Sequence, residues 1–152
     1  MSNNMYPFMI GIHNIVRWIV FIAAIYTLFR AYRGWIGKRS WTAADRKAGL
    51  YFSITFDVQF LLGLILTVVS PLVRSLISSF QIAMAIDELR LIVEHIPLML
   101  VALVMVHTTS VFAKRASDDV SKHRSAAIGY TLAFIVMILA IPWARPLLPG
   151  IG

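Results

Sequence analysis

Long apolar stretches separated by short polar connections set the pattern of this chain. Runs dominated by Ile, Leu, Val, Phe, Ala and Met cover residues 7–29, 49–70, 91–113 and 126–148. Each approaches the ~20 residues a helix needs to cross ~30 Å of hydrocarbon. A helix satisfies its own backbone in lipid, whereas a closed barrel requires at least about eight short alternating strands, which this length hardly supplies. The pattern predicts an all-α integral membrane four-helix bundle, a single transmembrane domain over 1–152. The first run reads as a retained span: it is long for a signal peptide, it contains His13 and Arg17, and no small-residue cleavage pattern follows it.

The connection between the second and third runs has its own period. Leu72, Val73, Leu76, Ile77, Phe80 and Met84 recur at helical spacing, with Arg74, Ser75, Ser78, Ser79 and Gln81 largely between them. This predicts a short amphipathic helix on the outer membrane surface. Continuation of helix two beyond Pro71 is the alternative. Ser121 and Ser125 are candidate caps for helix four. Ser125, Gly129, Ala133 and Ala140 place small residues near one face of that helix, a pattern for close helix packing.

Composition agrees with the pattern: 59% of residues are hydrophobic, 14% are charged, and mean hydropathy is +0.79. The formal charge of +7 is unevenly placed. Arg30, Arg33, Lys38, Arg39, Arg46 and Lys47 surround the first connection, and Lys114, Arg115, Lys122 and Arg124 the third. By the positive-inside rule both connections are cytoplasmic and both termini lie outside, so the basicity records topology and attraction to anionic lipid, with no nucleic-acid partner. Trp35, Trp41 and Trp143 suit the headgroup boundary, and His123, in a basic connection, reads as solvated. The chain has no cysteine, which excludes disulfides, thiolate metal sites and thioether-attached haem.

Against this background the ionisable groups at membrane depth stand out, because each costs several kcal/mol when unpaired. His13, Arg17, Glu94 and His95 fall in an outer layer. Asp57 and His107 fall in an inner one, with Gln59 close by in sequence. Imidazoles on facing helices are the ligands a b-type haem requires, and arginines near the surface suit its propionates. That assigns His13 and His95 to haem iron and Arg17 and Arg90 to its carboxylates. The plain structural alternative is that His13 and His95 bond to carbonyls, Glu94 and water with no cofactor. Asp57 is a poor haem ligand, so the inner set reads first as an Asp57–His107 ion pair, or Asp57 with Arg17. Beyond that it reads as a proton or quinone site formed by Asp57, Gln59 and His107, with Glu94 a further proton-active group. Met9, Met99, Met105 and Met137 read as gap-fillers.

Four segments, "HNIVRWIV", "DVQFLLGLILTVVSP", "RLIVEHIPLMLVALVMVH" followed by "AKR", and "ILAIPWARPL", resemble a family of small four-helix bacterial membrane proteins often labelled cytochrome b or cytochrome-b-like. The resemblance covers nearly the whole chain. It implies the bacterial cytoplasmic membrane, His13, Arg17, Glu94 and His95 as an outer set, and His107 with position 57 as an inner one. The resemblance also implies histidine, in an H-I-Q motif that relatives tend to have, where this chain reads D-V-Q at Asp57, and that departure weakens the case for an inner haem. The expected function is that of a haem b electron-transfer protein, or a subunit of a respiratory or photosynthetic complex, rather than a stand-alone enzyme. A haem-free assembly subunit and a proton-coupled carrier are the competing expectations, the latter disfavoured by the lack of a visible repeat.

Overall fold

The computed structural model describes residues 5–71, 73 and 91–143. Four helices run through them: α1 (Met5–Ile36), α2 (Ala43–Val69), α3 (Ile96–Arg115) and α4 (Asp119–Ala140). A π-helical turn, Leu91–His95, leads into α3. All four helices are long and apolar enough to span a membrane. Apart from Val73, the region of the expected interfacial helix, together with Arg90, lies outside the described residues.

Helix α1 extends well past the expected limits of the first span, because Arg30, Arg33 and the aromatic residues around them continue the helix beyond the hydrocarbon. Its end is a tight reversal: Gly37 and Arg39 donate backbone hydrogen bonds to the carbonyls of Arg33 and Gly34, at 3.1 and 3.0 Å, and Lys38 adopts a left-handed φ of 46°. Helix α2 then starts on Thr42, whose backbone N–H donates to Asp45 Oδ2 at 2.8 Å. Arg30 Nε donates to the other carboxylate oxygen of Asp45 at 2.8 Å, tying the end of α1 to the start of α2.

Helix α4 is shifted along the chain relative to the expected 126–148. It begins at an Asp118 cap, which accepts a hydrogen bond from Ser121 N at 2.9 Å, so neither expected serine is the cap. The Ser121 hydroxyl also donates to Asp118, and these bonds hold the Asp118 carboxyl below the usual carboxylate range. Helix α4 stops at Ala140 because Pro142 pushes Ile141 into extended geometry, φ −70° and ψ 128°.

Helices α1 and α2 pack side by side, as do α2 and α3, α3 and α4, and α4 and α1, which makes α1 and α3 one diagonal of the bundle. The centre is lined by Val20, Ala24, Phe52, Phe56, Ala102, Val106, Ala127 and Tyr130, while Phe8, Ile22, Phe29, Val68 and Leu139 face outward. The small-residue face of α4 packs on α3: a Cβ at Gly129 would stand 2.2 Å from Thr109 Oγ1. Thr27 Oγ1 donates to the Ala48 carbonyl at 2.9 Å, joining α1 to α2.

Candidate functional site

A cavity of about 340 Å³ opens inside the bundle at the end away from the two basic connections. His13, Asn14 and Arg17 reach it from α1, Gln59 and Gly63 from α2, and His95 and Met99 from the π turn and α3; Met137 comes from α4. Its remaining walls are mostly aliphatic and aromatic.

His95 owes its position to the proline that follows. Pro97 has no N–H to donate to the Val93 carbonyl and its ring crowds that carbonyl, so the turn before it widens to π geometry and ends on His95. The imidazole Nδ1 donates to the Ala140 carbonyl at 2.7 Å. That carbonyl belongs to the last turn of α4, where the helix has no donor of its own to offer. A carbonyl only accepts, so Nδ1 carries the proton and, in the neutral ring, Nε2 carries the lone pair. This is the arrangement by which a backbone carbonyl orients a metal-binding imidazole.

His13 faces the cavity from the diagonal helix. The Gln59 amide Nε2 donates to the His13 carbonyl at 3.0 Å and lies 3.1 Å from the ring Nε2. Because the backbone carbonyl must accept, the amide nitrogen is the donor to both, which makes His13 Nε2 an acceptor and puts the ring proton on Nδ1. Nδ1 is buried and has no hydrogen-bond partner among the described residues. Gln59 is thus a member of the outer site, not of the Asp57–His107 set expected from the sequence. Two residues along a helix turn through about 200°, so Asp57 and Gln59 necessarily point to opposite sides of α2.

Asp57 and His107 do meet: His107 Nε2 lies 2.7 Å from Asp57 Oδ1. Arg17 instead lines the cavity shared by His13 and His95, so the alternative Asp57–Arg17 pairing is not formed. The side chains of His107 and Asp57 are 51% and 46% exposed, placing the pair on the outside of the bundle between α2 and α3. The twelve residues from His95 to His107 advance the helix by ~18 Å and rotate it by about a third of a turn, enough to carry the second imidazole off the cavity. Glu94 is exposed and lines neither the cavity nor the Asp57–His107 pair.

His123 departs most from expectation. It is 1% exposed, packed edge-on against Trp41 with ring centroids 4.8 Å apart. Gly34 makes this possible, since a Cβ there would stand 2.1 Å from His123 Cε1. The signal in the sequence is a glycine 89 positions away, and it is silent without the contact.

In comparison with known proteins, the chain matches no family model, no curated protein and no solved structure.

Proposed function

We propose that the protein is a cytochrome-b-like membrane electron carrier that holds one haem b between His13 and His95. One observation carries this reading: imidazoles from diagonally opposed helices line a single interior cavity, and the Ala140 carbonyl sets His95 Nε2 as the lone-pair nitrogen. The donor set fits the group. Two histidines suit haem iron, Arg17 supplies a cation in the cavity wall for a propionate, and the rest of the lining is largely apolar. The cavity volume falls at the low end of the ~300–1,000 Å³ common to cofactor pockets.

Haem supplies reversible one-electron chemistry at iron. The chain's own residues do the rest. Ala140 orients His95, and Gln59 anchors the α1 backbone at His13 through the carbonyl bond whatever the ring nitrogen binds. Arg17 balances carboxylate charge, and the apolar walls exclude water. Both basic connections face the cytoplasm in this reading, so the haem lies toward the outer face of a bacterial cytoplasmic membrane. Asp57 and His107 offer an acceptor and a donor on the lipid-facing side, suited to hydrogen-bonding a quinone headgroup that exchanges electrons with the protein.

A second reading, a haem-free subunit of a larger membrane complex, is favoured by the same exposed Asp57–His107 pair, because a polar pair on a lipid-facing surface gains from cover by another protein. A reduced-minus-oxidised spectrum with a pyridine haemochrome assay, after haem-replete expression, separates the two. A b-type signal near one haem per chain supports the carrier; a featureless spectrum leaves the subunit reading.

A further inference from the structure

At the opposite end of the bundle, residues of the α1–α2 reversal and the start of α4 surround an open pocket of about 400 Å³. Arg30, Arg33, Lys38 and Arg39 line it, together with Ser40 and His123. Its one lining carboxylate, Asp45, is already engaged by Arg30 at 2.8 Å and by Thr42, whose hydroxyl donates at 2.5 Å. The positive charge of Arg33, Lys38 and Arg39 is therefore in excess. The left-handed turn at Lys38 folds Arg39 back beside the end of α1, and the backbone bond from Arg39 N to the Gly34 carbonyl holds it there.

His123 closes one side of this pocket. It is 1% exposed, and its Nδ1 has no hydrogen-bond partner among the described residues. Its Nε2 reaches only the Ser40 carbonyl, at a long 3.5 Å. A carbonyl only accepts, so in the neutral ring Nε2 carries the proton and Nδ1, packed against Gly34, offers an anion no donor; recognition falls to Arg33, Lys38 and Arg39, with His123 closing the wall behind them.

We infer that this pocket binds the headgroup phosphate of an anionic phospholipid. The shared chemistry is a phosphate oxyanion, recognised by guanidinium forks and a lysine. Its surroundings favour a lipid over a soluble anion. Trp41 packs edge-on against His123 in the pocket wall and the Arg124 guanidinium lies over Trp35, 6.0 Å from its ring centroid, placing aromatic rings where headgroups lie. The same two helices expose Phe29, Ile36 and Leu50 for acyl chains to cover. Basic pockets between helices at the cytoplasmic boundary bind anionic headgroups by this combination.

The test uses the full chain in an uncharged detergent, followed by native mass spectrometry during titration with phosphatidylglycerol, phosphatidylcholine or inorganic phosphate. One phosphatidylglycerol per chain is retained, and phosphatidylcholine is not. The pair Arg33→Gln/Arg39→Gln weakens retention at least about tenfold, whereas Lys114→Gln/Arg115→Gln, which removes the same charge from the other basic connection, leaves it unchanged. Arg39→Gln alone, in an exposed turn, produces a smaller loss in the same direction, and circular dichroism verifies helix content in each variant. Equal losses from the two pairs, or equal retention of phosphatidylcholine, overturn the site. Displacement of the lipid by millimolar inorganic phosphate that itself binds one per chain overturns the lipid assignment in favour of a soluble anion.

Discussion

Gln59 donates from one amide nitrogen to both the backbone carbonyl and the ring Nε2 of His13, at 3.0 and 3.1 Å. A side chain on α2 thereby fixes both the position and the tautomer of an imidazole on α1. The two outer imidazoles are held differently: Ala140 accepts from His95 Nδ1 and leaves Nε2 open, whereas the Gln59 amide covers the His13 Nε2 lone pair, so iron bound there would displace that N–H while the bond to the His13 carbonyl stays.

For a haem held by this pair, His13→Ala and His95→Ala each abolish haem retention, whereas His107→Ala, on the bundle surface, leaves it intact. Haem content per chain after purification measures this. Retention in both outer variants rules out the ligand assignment.

Gln59→Leu removes both hydrogen bonds and leaves the His13 ring without its orienting donor. The expected loss is about 1–3 kcal/mol of stability, read as a lower midpoint of thermal unfolding in detergent. Any bound haem is retained at reduced occupancy rather than lost. A midpoint equal to that of the parent chain would show that Gln59 does not hold His13.

The Asp57–His107 pair calls for a double-mutant cycle. His107→Leu alone leaves a carboxylate on the lipid-facing surface, where an uncompensated aspartate costs ~2.5–3.5 kcal/mol at the helix centre and less toward the interface. Asp57→Leu/His107→Leu recovers most of that loss, because no unpaired ion remains. Unfolding measured in bilayer nanodiscs checks both values. Additive effects of the two single changes would show that the pair is not coupled.

Gly129→Ala forces a methyl group toward Thr109 and overpacks the α3–α4 contact, at a cost of about 1–3 kcal/mol. Thr109→Ala in the same chain restores part of it by removing the nearest atoms, Oγ1 and Cγ2. Thermal unfolding of the two variants against the parent reads the difference, and a Gly129→Ala chain as stable as the parent would contradict the packing described.

Fusion of alkaline phosphatase to the C-terminus gives an active enzyme, and fusion within the 37–42 reversal an inactive one, if both basic connections are cytoplasmic. The opposite pattern inverts the assigned orientation and moves the candidate haem layer to the inner face.

The four spans were legible in the sequence because length and hydropathy are properties of consecutive residues. So was the meeting of Asp57 with His107, which similar depths on α2 and α3 suggested. Proximity in sequence groups Gln59 with Asp57, but its direction around α2 differs by about 200° and carries it to His13 instead. His123 sits among basic residues in the chain and is nonetheless buried, because Gly34 leaves room for its ring against α1. The shift of α4 was within reach, since Asp118 precedes the helix and Pro142 follows it, but the apolar run alone placed the boundary too far along.

By itself, the sequence determined four apolar helices, two basic connections at one end, and imidazoles at two depths, because each of these follows from local composition and the fixed rise of a helix. Only the tertiary structure decided that His13 and His95 share an interior cavity while Asp57 and His107 face outward. It alone decided which nitrogen of each outer imidazole carries the proton, because Gln59 and Ala140 are each 45 or more positions from the histidine they orient. The physical reason is that rotation about each helix axis is set by packing against the others, and hydrogen-bond partners across a bundle leave no mark in the local pattern.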